Sequence, residues 1–578
     1  MVALVEKYPS NINYEQYFDF EFNRYALTDT KIDKPKKADI TLDFSVLDNE
    51  DFIILVGAEA FKFIAKGSGI TQYQGYLIED KYLPLTNPMM AKIKPEGKPA
   101  FEKAVRDIND VVSGVATGVA NCDLEGITTE ERAIEYLRYL VDNTDLEVLA
   151  FDTETSALDP REGYLLGVSI SHREKQGVYI SSDILTEECE QMLKYLFQTR
   201  TIVMHNGKFD FKWFCNQLGL PIPNIIEDTM MLHYLLDENN PHGLKALAIK
   251  YTDLGDYDRE LDEFKRNYCK KHGIKIKEFT YDLIPFGIIY KYAAMDTAAT
   301  LELYNLFKPI VSKSKNLSKV YNEMLIPGTI CLYDMEENGV PFDKAMLYKT
   351  RQDLNEEIDL LTKDLYSFEH VKAWENETGN IFNPNSVFHL RSILFGTKYF
   401  GYRPTGKKTE TGADSTDAEV LETLANDDDS SFPAKILAIK KAKKIKSTYI
   451  DKVLVELHSD GRLRTGFHLH TTTSGRLSSS GKLNMQQLPR DRKDVKKCIV
   501  AREGYEILSQ DLKTAEMWVA AALSGDTNLQ QIFKSDTGDF HSSIAHMVFK
   551  LPCKVEEVKE QFPAVRQAAK AISFGINL

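Results

Sequence analysis

The period of the apolar positions changes along the chain and divides it into regions. Between residues 126 and 312, apolar runs of strand length alternate with stretches in which apolar residues recur every three or four positions. This alternation is typical of an α/β layer structure, and beyond residue 312 the helical period prevails. We therefore predict a multidomain α/β and α+β protein, divided into residues 1–125, 126–312, 313–465 and 466–578.

In the first region the pattern predicts a strand, a glycine turn and a helix over Phe52–Ile64, then a strand ending within residues 83–88, and a helix over Ala100–Val112. This order is similar to part of the uracil-DNA glycosylase fold, but Asn87-Pro88 stands where that family has His-Pro. The resemblance implies a catalytically silent domain that contacts DNA or a partner. An unrelated small α/β domain is the alternative.

Two acids interrupt the apolar strand that begins at Val148. Asp152 and Glu154 are two residues apart, so both project from the same face of a strand. Neighbouring carboxylates repel each other and are costly to bury. A divalent cation removes that cost, and oxygen ligands suit Mg²⁺ or Mn²⁺. The alternative is an exposed strand end with two solvated acids.

Two further acids follow on predicted helices. An apolar strand leads into Asn206 and places Asp210 on the first helical turn, where the helix dipole favours a carboxylate. A long helix over Tyr290–Leu306 carries Tyr292 and Asp296 one turn apart on one face. The Tyr292 phenol can orient a water molecule at the metals, or it can be a half-buried packing residue.

Taken in order, these acids resemble the three motifs of DnaQ-like 3′→5′ exonucleases. The resemblance implies an RNase H-like domain that holds two metal ions, with four carboxylate ligands: Asp152, Glu154, Asp210 and Asp296. Asp152, Glu154 and Asp296 would hold the ion that activates water, and Asp152 with Asp210 would hold the second. Tyr292 would orient the attacking water. Asn206 and Phe209 would shape the site around the terminal nucleotides of single-stranded 3′ ends.

Positive charge is concentrated on a helix predicted over residues 434–452, which includes Lys443 and Lys444. The net charge of −15 argues on its own against a nucleic-acid partner. However, a polyanion can be held by a few basic strips, and we predict that this helix contacts DNA. A solvated helix face is the alternative.

Polar residues at a predicted tight turn follow this helix. Arg476, Asn484 and Gln486 are of the types that contact phosphates and minor-groove acceptors. A strand predicted over Ile507–Leu512 contains Asp511 near its end, and the helix that begins at Thr514 contains Glu516.

These motifs resemble those of family A DNA polymerases, the bacterial polymerase I-like enzymes, over residues 130–578. The resemblance implies a right-hand polymerase with a thumb, part of the palm and part of the fingers. Arg476 would contact the primer-template, Asp511 would bind two catalytic Mg²⁺ ions, and Glu516 would exclude a ribose 2′-OH. The residues implied in binding the incoming dNTP lie near the end of the chain: His541, Arg566, Lys570 and Phe574.

The family's His-Asp-Glu turn, which carries a second catalytic acid, is absent because none of the 12 histidines precedes an aspartate. We expect an incomplete polymerase, either a truncated fragment or a natural bacteriophage-type split in which a second polypeptide supplies the remaining fingers and palm. Proofreading would be independent of that part, whereas synthesis would need it. The second hypothesis is a non-catalytic DNA-binding or assembly subunit.

The amino-acid composition bears on the cellular compartment of the protein. The seven cysteines are scattered without a Cys-x-x-Cys pair, which argues for a reducing compartment and against a disulfide framework or a zinc site. The sequence contains neither an apolar run of membrane-spanning length nor a signal-peptide pattern at its start. We therefore expect a cytoplasmic protein, in the host cytoplasm if it is viral, with no membrane partner.

Overall fold

The computed structural model describes the chain except for residues 33, 68, 76, 80, 94–97, 114–121, 410–411, 427–430, 482, 490–491, 513, 535–538 and 578. The chain divides into two compact units, residues 1–499 and 500–578. The division predicted at 465/466 therefore falls inside the first unit. Strand pairing explains this, because Arg462 pairs with Pro341 and Ile499 pairs with Phe342.

The first unit begins with a parallel sheet of four strands: β1 Val2–Glu6, β2 Asn23–Ala26, β3 Phe52–Val56 and β4 Tyr82–Leu85. Their order is β2-β1-β3-β4. The helices are α1 Ala58–Ile64, α2 Ile70–Tyr73, α3 Pro88–Ile93 and α4 Lys98–Val112. The predicted alternation of strand and helix is confirmed. All residues of β1 are buried, as expected for a parallel strand covered on both faces.

A second, mixed sheet follows, with strands β5 Asp123–Ile127, β6 Val148–Thr155, β7 Leu165–Ser171, β8 Gln176–Ser181, β9 Thr201–Met204 and β10 Ile225–Asp228. The order is β10-β9-β6-β7-β8-β5. Strand β6 is central, parallel to β9 and antiparallel to β7. Strand β5 pairs with β8, so this sheet begins before the division predicted at 125/126.

The helices around this sheet are α5 Glu130–Asp142, α6 Glu187–Thr199, α7 Lys208–Gln217, α8 Thr229–Leu236, α9 Leu244–Tyr251, α10 Arg259–His272 and α11 Phe286–Lys313. Thr129 caps α5 by accepting a hydrogen bond from the Arg132 amide. Helix α11 packs across β6, β7 and β8, which explains why its middle turns are almost continuously buried. This packing brings a long helix to the central strand.

Mainly helical structure fills the rest of the first unit. The helices are α12 Lys315–Val320, α13 Ile326–Asn338, α14 Lys344–Ser367, α15 Glu369–Thr378, α16 Val387–Phe395, α17 Ala418–Asn426, α18 Phe432–Lys444, α19 Lys452–Glu456 and α20 Asp494–Lys497. Short strands β11 Val340–Pro341 and β12 Arg462–Leu463 pair with each other, as do β13 Gly466–His468 and β14 Ser478–Ser480. The lysine-rich helix predicted over 434–452 contains a π-helical turn, Ile445–Asp451, between α18 and α19.

The second unit contains α21 Ala515–Ser524, α22 Thr527–Lys534, α23 Phe540–Phe549, α24 Val558–Gln561 and α25 Pro563–Asn577. The prediction of a strand over Ile507–Leu512 is wrong, because this segment forms neither strand nor helix. Leu508 and Leu512 in this segment are each 81% exposed. A strand requires a hydrogen-bonded neighbour, and no described strand pairs with it. None of the described helices combines the length and apolar character needed to cross a membrane.

Candidate functional site

Strand β6 and helix α11 bring three carboxylates together. Asp152, Glu154 and Asp296 each offer an oxygen, and these oxygens all lie within 4.8 Å of one another. Glu154 is 4% exposed and Asp296 6% exposed, whereas Asp152 is half-buried. Within the described residues, this is the only group of three or more histidine, cysteine or acidic side chains with metal-binding geometry.

Asp210 lies close to this group but outside it. The carboxylate is buried on the first turn of α7, and its Oδ1 accepts hydrogen bonds from the Thr153 amide at 3.0 Å and the Thr153 hydroxyl at 2.7 Å. Thr153 stands between the two acids of β6, so it anchors Asp210 to the strand. The sequence reasoning missed Thr153, although its position within the Asp-x-Glu motif was a usable signal.

The electrostatics of these carboxylates are compatible with a bound cation. Burial, followed by the charges of Asp210, Asp296 and Glu154, raises the pKa of Asp152 well above its usual range. Burial and Asp296 do the same to the pKa of Glu154. Burial also raises the pKa of Asp210 to about 7, although the Thr153 hydrogen bonds oppose this. Oxygen ligands that repel one another in a buried site fit a divalent metal ion.

Two residues that the sequence reasoning did not single out touch Asp296. Lys245, on the first turn of α9, makes an ion pair with Asp296 Oδ1, and the Tyr257 hydroxyl donates a hydrogen bond to the same oxygen at 2.6 Å. Tyr292 faces this group, because the Lys245 ammonium lies 4.0 Å from the centre of its ring. Burial, then the charges of Asp296 and Glu154, raises the pKa of the Tyr292 phenol well above its usual range.

The turn between β9 and α7 is held by a buried acid. Asn206 has a left-handed backbone with φ of 60°, a conformation that asparagine tolerates. Asp228 accepts hydrogen bonds from the Asn206 amide at 3.3 Å and the Gly207 amide at 2.9 Å, and it also caps α8. Phe209 on α7 packs beside Trp213, with 6.4 Å between ring centroids.

The predicted DNA-contacting turn is a β-hairpin formed by β13 and β14. Arg476 is exposed in the connection between these strands. Gln486 donates a side-chain hydrogen bond to the Leu477 carbonyl at 3.2 Å, and Asn484 donates one to the Ser479 carbonyl at 3.2 Å. These two side chains therefore support the hairpin. On α18, Lys443 is half-buried and Lys444 is exposed.

In the second unit, α23 and α25 bring three predicted nucleotide-binding residues together. Burial, then the charges of Arg566 and Lys570, lowers the pKa of His541. Arg566 also makes an ion pair with Asp539 at 3.0 Å. Glu516 is exposed on the first turn of α21, and Asp511 is exposed in the segment without regular structure. The side chain of Phe574 lies outside the described part of the structure.

Comparisons with known proteins identify an exonuclease region followed by a polymerase region. Residues 344–577 match the DNA polymerase family A model, and residues 124–312 match a 3′-5′ exonuclease model. The DNA polymerase of Escherichia phage T5 is 46% identical over an alignment of 602 residues. The alignment covers all of this chain and 70% of the phage protein. DNA polymerase I of Borreliella burgdorferi is 30% identical, over 78% of this chain and 48% of its own length. The chain thus spans about half the length of that relative.

The solved POL domain of Pol1 from M. smegmatis, in complex with DNA primer-template and dNTP, matches with a TM-score of 0.61 and 22% sequence identity. The match covers 78% of this chain and 71% of that one, and it supports the fold. The two family models and the phage relative together define the class of DNA-directed DNA polymerases with a 3′→5′ exonuclease. The chain belongs to DNA polymerase family A. A non-catalytic subunit is not favoured, and nothing in these comparisons supports a second polypeptide.

Proposed function

We propose that this polypeptide removes nucleotides from single-stranded 3′ ends of DNA, as the proofreading activity of a replicative polymerase in the host cytoplasm. The observation that carries this proposal is the buried cluster of Asp152, Glu154 and Asp296, whose oxygens lie within 4.8 Å of one another. Family membership supports the reaction class, and the arrangement on β6 and α11 supports the placement of the site.

The acids would hold two Mg²⁺ ions, with Mn²⁺ as the alternative. The first ion would be bound by Asp152, Glu154 and Asp296. The second ion would be bound by Asp152 and Asp210. Bound metals of this kind lower the pKa of a water molecule and neutralise charge on a phosphate. Thr153 orients Asp210 through two hydrogen bonds, so this carboxylate is fixed before any ligand binds. The Tyr292 phenol has an ordinary pKa of 10.0, which burial raises further, so it is protonated at neutral pH and its hydroxyl can donate a hydrogen bond to water.

The neighbouring turn would position the substrate strand. We propose that Asn206 and Phe209 contact the terminal nucleotides, because Asp228 holds the turn that precedes α7 in one conformation. A carboxylate that accepts several backbone hydrogen bonds holds its turn in one conformation. Little conformational entropy is then lost when DNA binds to the turn.

For synthesis, we propose that Asp511 binds catalytic metal and that Glu516 excludes ribonucleotides. Arg476, Asn484 and Gln486 would bind primer-template, with Lys443 and Lys444 contacting phosphates. Arg566, Lys570 and His541 would grip the dNTP triphosphate, and Phe574 would pack on its sugar. Cationic groups near one another suit a triphosphate, since charge-assisted hydrogen bonds are the strong ones.

The test of the exonuclease proposal compares degradation of end-labelled single-stranded DNA by the wild-type chain and by the Asp152→Ala, Glu154→Ala double variant. We expect a loss of at least about a thousandfold, since metal-ion catalysis contributes several kcal/mol. The matched control is Asp142→Ala with Asp145→Ala, two exposed acids of the same domain. Unchanged digestion by the site variant would overturn the assignment.

A further inference from the structure

The first observation concerns an ammonium group inside the carboxylate site. Lys245 makes an ion pair with Asp296 Oδ1, and the two side chains are 27% and 8% exposed. Asp296 belongs to the proposed metal-binding set, so a cation from the protein itself already contacts one of the metal ligands. The Tyr257 hydroxyl donates to the same oxygen at 2.6 Å, which fixes the orientation of this carboxylate.

The second observation is that aromatic rings surround this ammonium. Lys245 Nζ lies 4.1 Å from the ring centre of Tyr257 and 4.0 Å from that of Tyr292. Both distances are within the range of favourable cation–π interactions, which strengthen where water is excluded. Helix α9 packs against α11, so the lysine and its carboxylate partner come from two helices in contact. The ammonium therefore has two sources of stabilisation, and only one of them is Asp296.

We propose that Lys245 is the resident counter-ion of the exonuclease site. Its ammonium balances part of the carboxylate charge in the absence of metal and leaves Asp296 when a divalent ion is bound. The Tyr257 and Tyr292 rings then retain it beside the site. The proposal rests on the exonuclease function proposed above and adds a positioning residue to it.

The physical reason is competition between like charges. An ammonium and a divalent cation repel each other when both contact one carboxylate, so each weakens the binding of the other. Such coupling is reciprocal. Lys245 therefore stabilises the metal-free protein and lowers its affinity for metal. An ion pair that served only to join α9 to α11 would stabilise the protein equally with and without metal.

The experiment uses the full chain and Lys245→Met, which keeps an unbranched side chain without the charge. Thermal unfolding is measured without metal and with saturating MgCl₂ at pH 8, and the Kd for Mn²⁺ is measured by calorimetry. We expect a lower Tm without metal, a larger Mg²⁺-induced rise in Tm than in the wild type, and a Kd for Mn²⁺ at least about threefold lower, as expected for a modest coupling. Lys245→Arg, which keeps the charge, should resemble the wild type.

The control is Lys250→Met on the same helix, whose ion pair with Asp237 lies outside the carboxylate group. It should leave the metal-induced rise unchanged. An equal fall of Tm in Lys245→Met with and without Mg²⁺, together with an unchanged Kd, overturns the counter-ion role. If Lys245→Met does not fold, Lys245→Gln serves in its place with the same expectations. A wild-type protein without any Mg²⁺-induced rise overturns the metal site itself, and the counter-ion role with it.

Discussion

The acids of the proposed exonuclease site and Asp511, the proposed polymerase acid, are equally visible in the sequence, yet their structural settings differ. Asp152 and Glu154 lie on a strand paired on both sides, and Asp296 lies on a buried helix packed against that strand. Asp511 lies exposed in a segment without strand or helix. The first group is oriented by hydrogen-bonded and packed neighbours, and Asp511 has no such neighbours among the described residues.

The contrast between these two settings shows what the preorganisation of a site requires. A motif supplies the chemical groups, but their orientation comes from the elements on either side of them. The exonuclease acids are oriented at an electrostatic cost, which is visible in the raised pKa values of Asp152 and Glu154. We expect this cost to favour metal binding, because a cation would relieve it. Substitutions of single residues test this contrast between the two regions.

We expect the largest difference between the two regions when one acid of each is substituted and exonuclease activity is measured. Asp296→Asn should reduce degradation of single-stranded DNA at least about a hundredfold, since it removes one of three clustered metal ligands. Asp511→Asn should leave this activity unchanged. Rates measured on one labelled oligonucleotide at saturating Mg²⁺ make the comparison. Equal losses in both variants would show that the exonuclease site depends on Asp511.

The next effect concerns the attachment of α7. Glu336 is buried, makes ion pairs with Lys208 and Lys212, and accepts a hydrogen bond from the Phe467 amide at 2.6 Å. Glu336→Gln should lower the free energy of unfolding by about 3 kcal/mol, because it leaves two partly buried lysines without a counter-charge. Urea unfolding is the measurement. The control Glu323→Gln disrupts an exposed pair with Lys319 and should change stability by less than about 1 kcal/mol.

Acid should destabilise the first unit through three histidines that are buried or half-buried. Burial and then neighbouring positive charge lower the pKa of His205 to about 3 and those of His233 and His470 to about 4. Between pH 6.5 and 4 the unfolded chain binds more protons than the folded chain, so stability falls as the pH falls. Each histidine contributes up to about 1.4 kcal/mol per pH unit. Urea unfolding at pH 7, 6 and 5 measures the slope.

The matched variant for this pH dependence is His205→Gln, which cannot gain the proton. Its slope between pH 6 and 5 should be smaller than that of the wild type by up to about 1.4 kcal/mol per pH unit. An identical slope in both proteins would contradict the assignment of acid sensitivity to His205.

The smallest effect belongs to the second unit. Burial raises the pKa of Asp539, but hydrogen bonds from Arg566 and Ser542 outweigh this and lower it to about 2. The resulting stabilisation is present above the unfolded-state pKa near 4 and disappears as the pH falls towards 2. Because the pair is partly exposed, Asp539→Asn should cost at most about 1 kcal/mol at pH 7. A loss of several kcal/mol would show that this pair organises the unit.

Most local elements and the order of the motifs follow from the amino-acid sequence alone. The strand–helix alternation is decided within a few residues by apolar period, and the caps at Thr129 and Asp228 by one side chain each. The family resemblance followed from the motifs in order, and the comparisons confirm it. Such features depend on neighbouring residues along the chain, so they can be predicted without knowledge of the tertiary structure.

Which side chains meet depends on the tertiary packing. Lys245 reaches Asp296 across 51 residues of chain, and Thr153 holds Asp210 across 57. Neither pair follows from spacing, because each depends on how helices pack on the central sheet. The strand predicted around Asp511 failed for the related reason that a strand exists only with a partner, and no described strand pairs there. Contacts between distant residues arise from packing, which local periodicity does not encode.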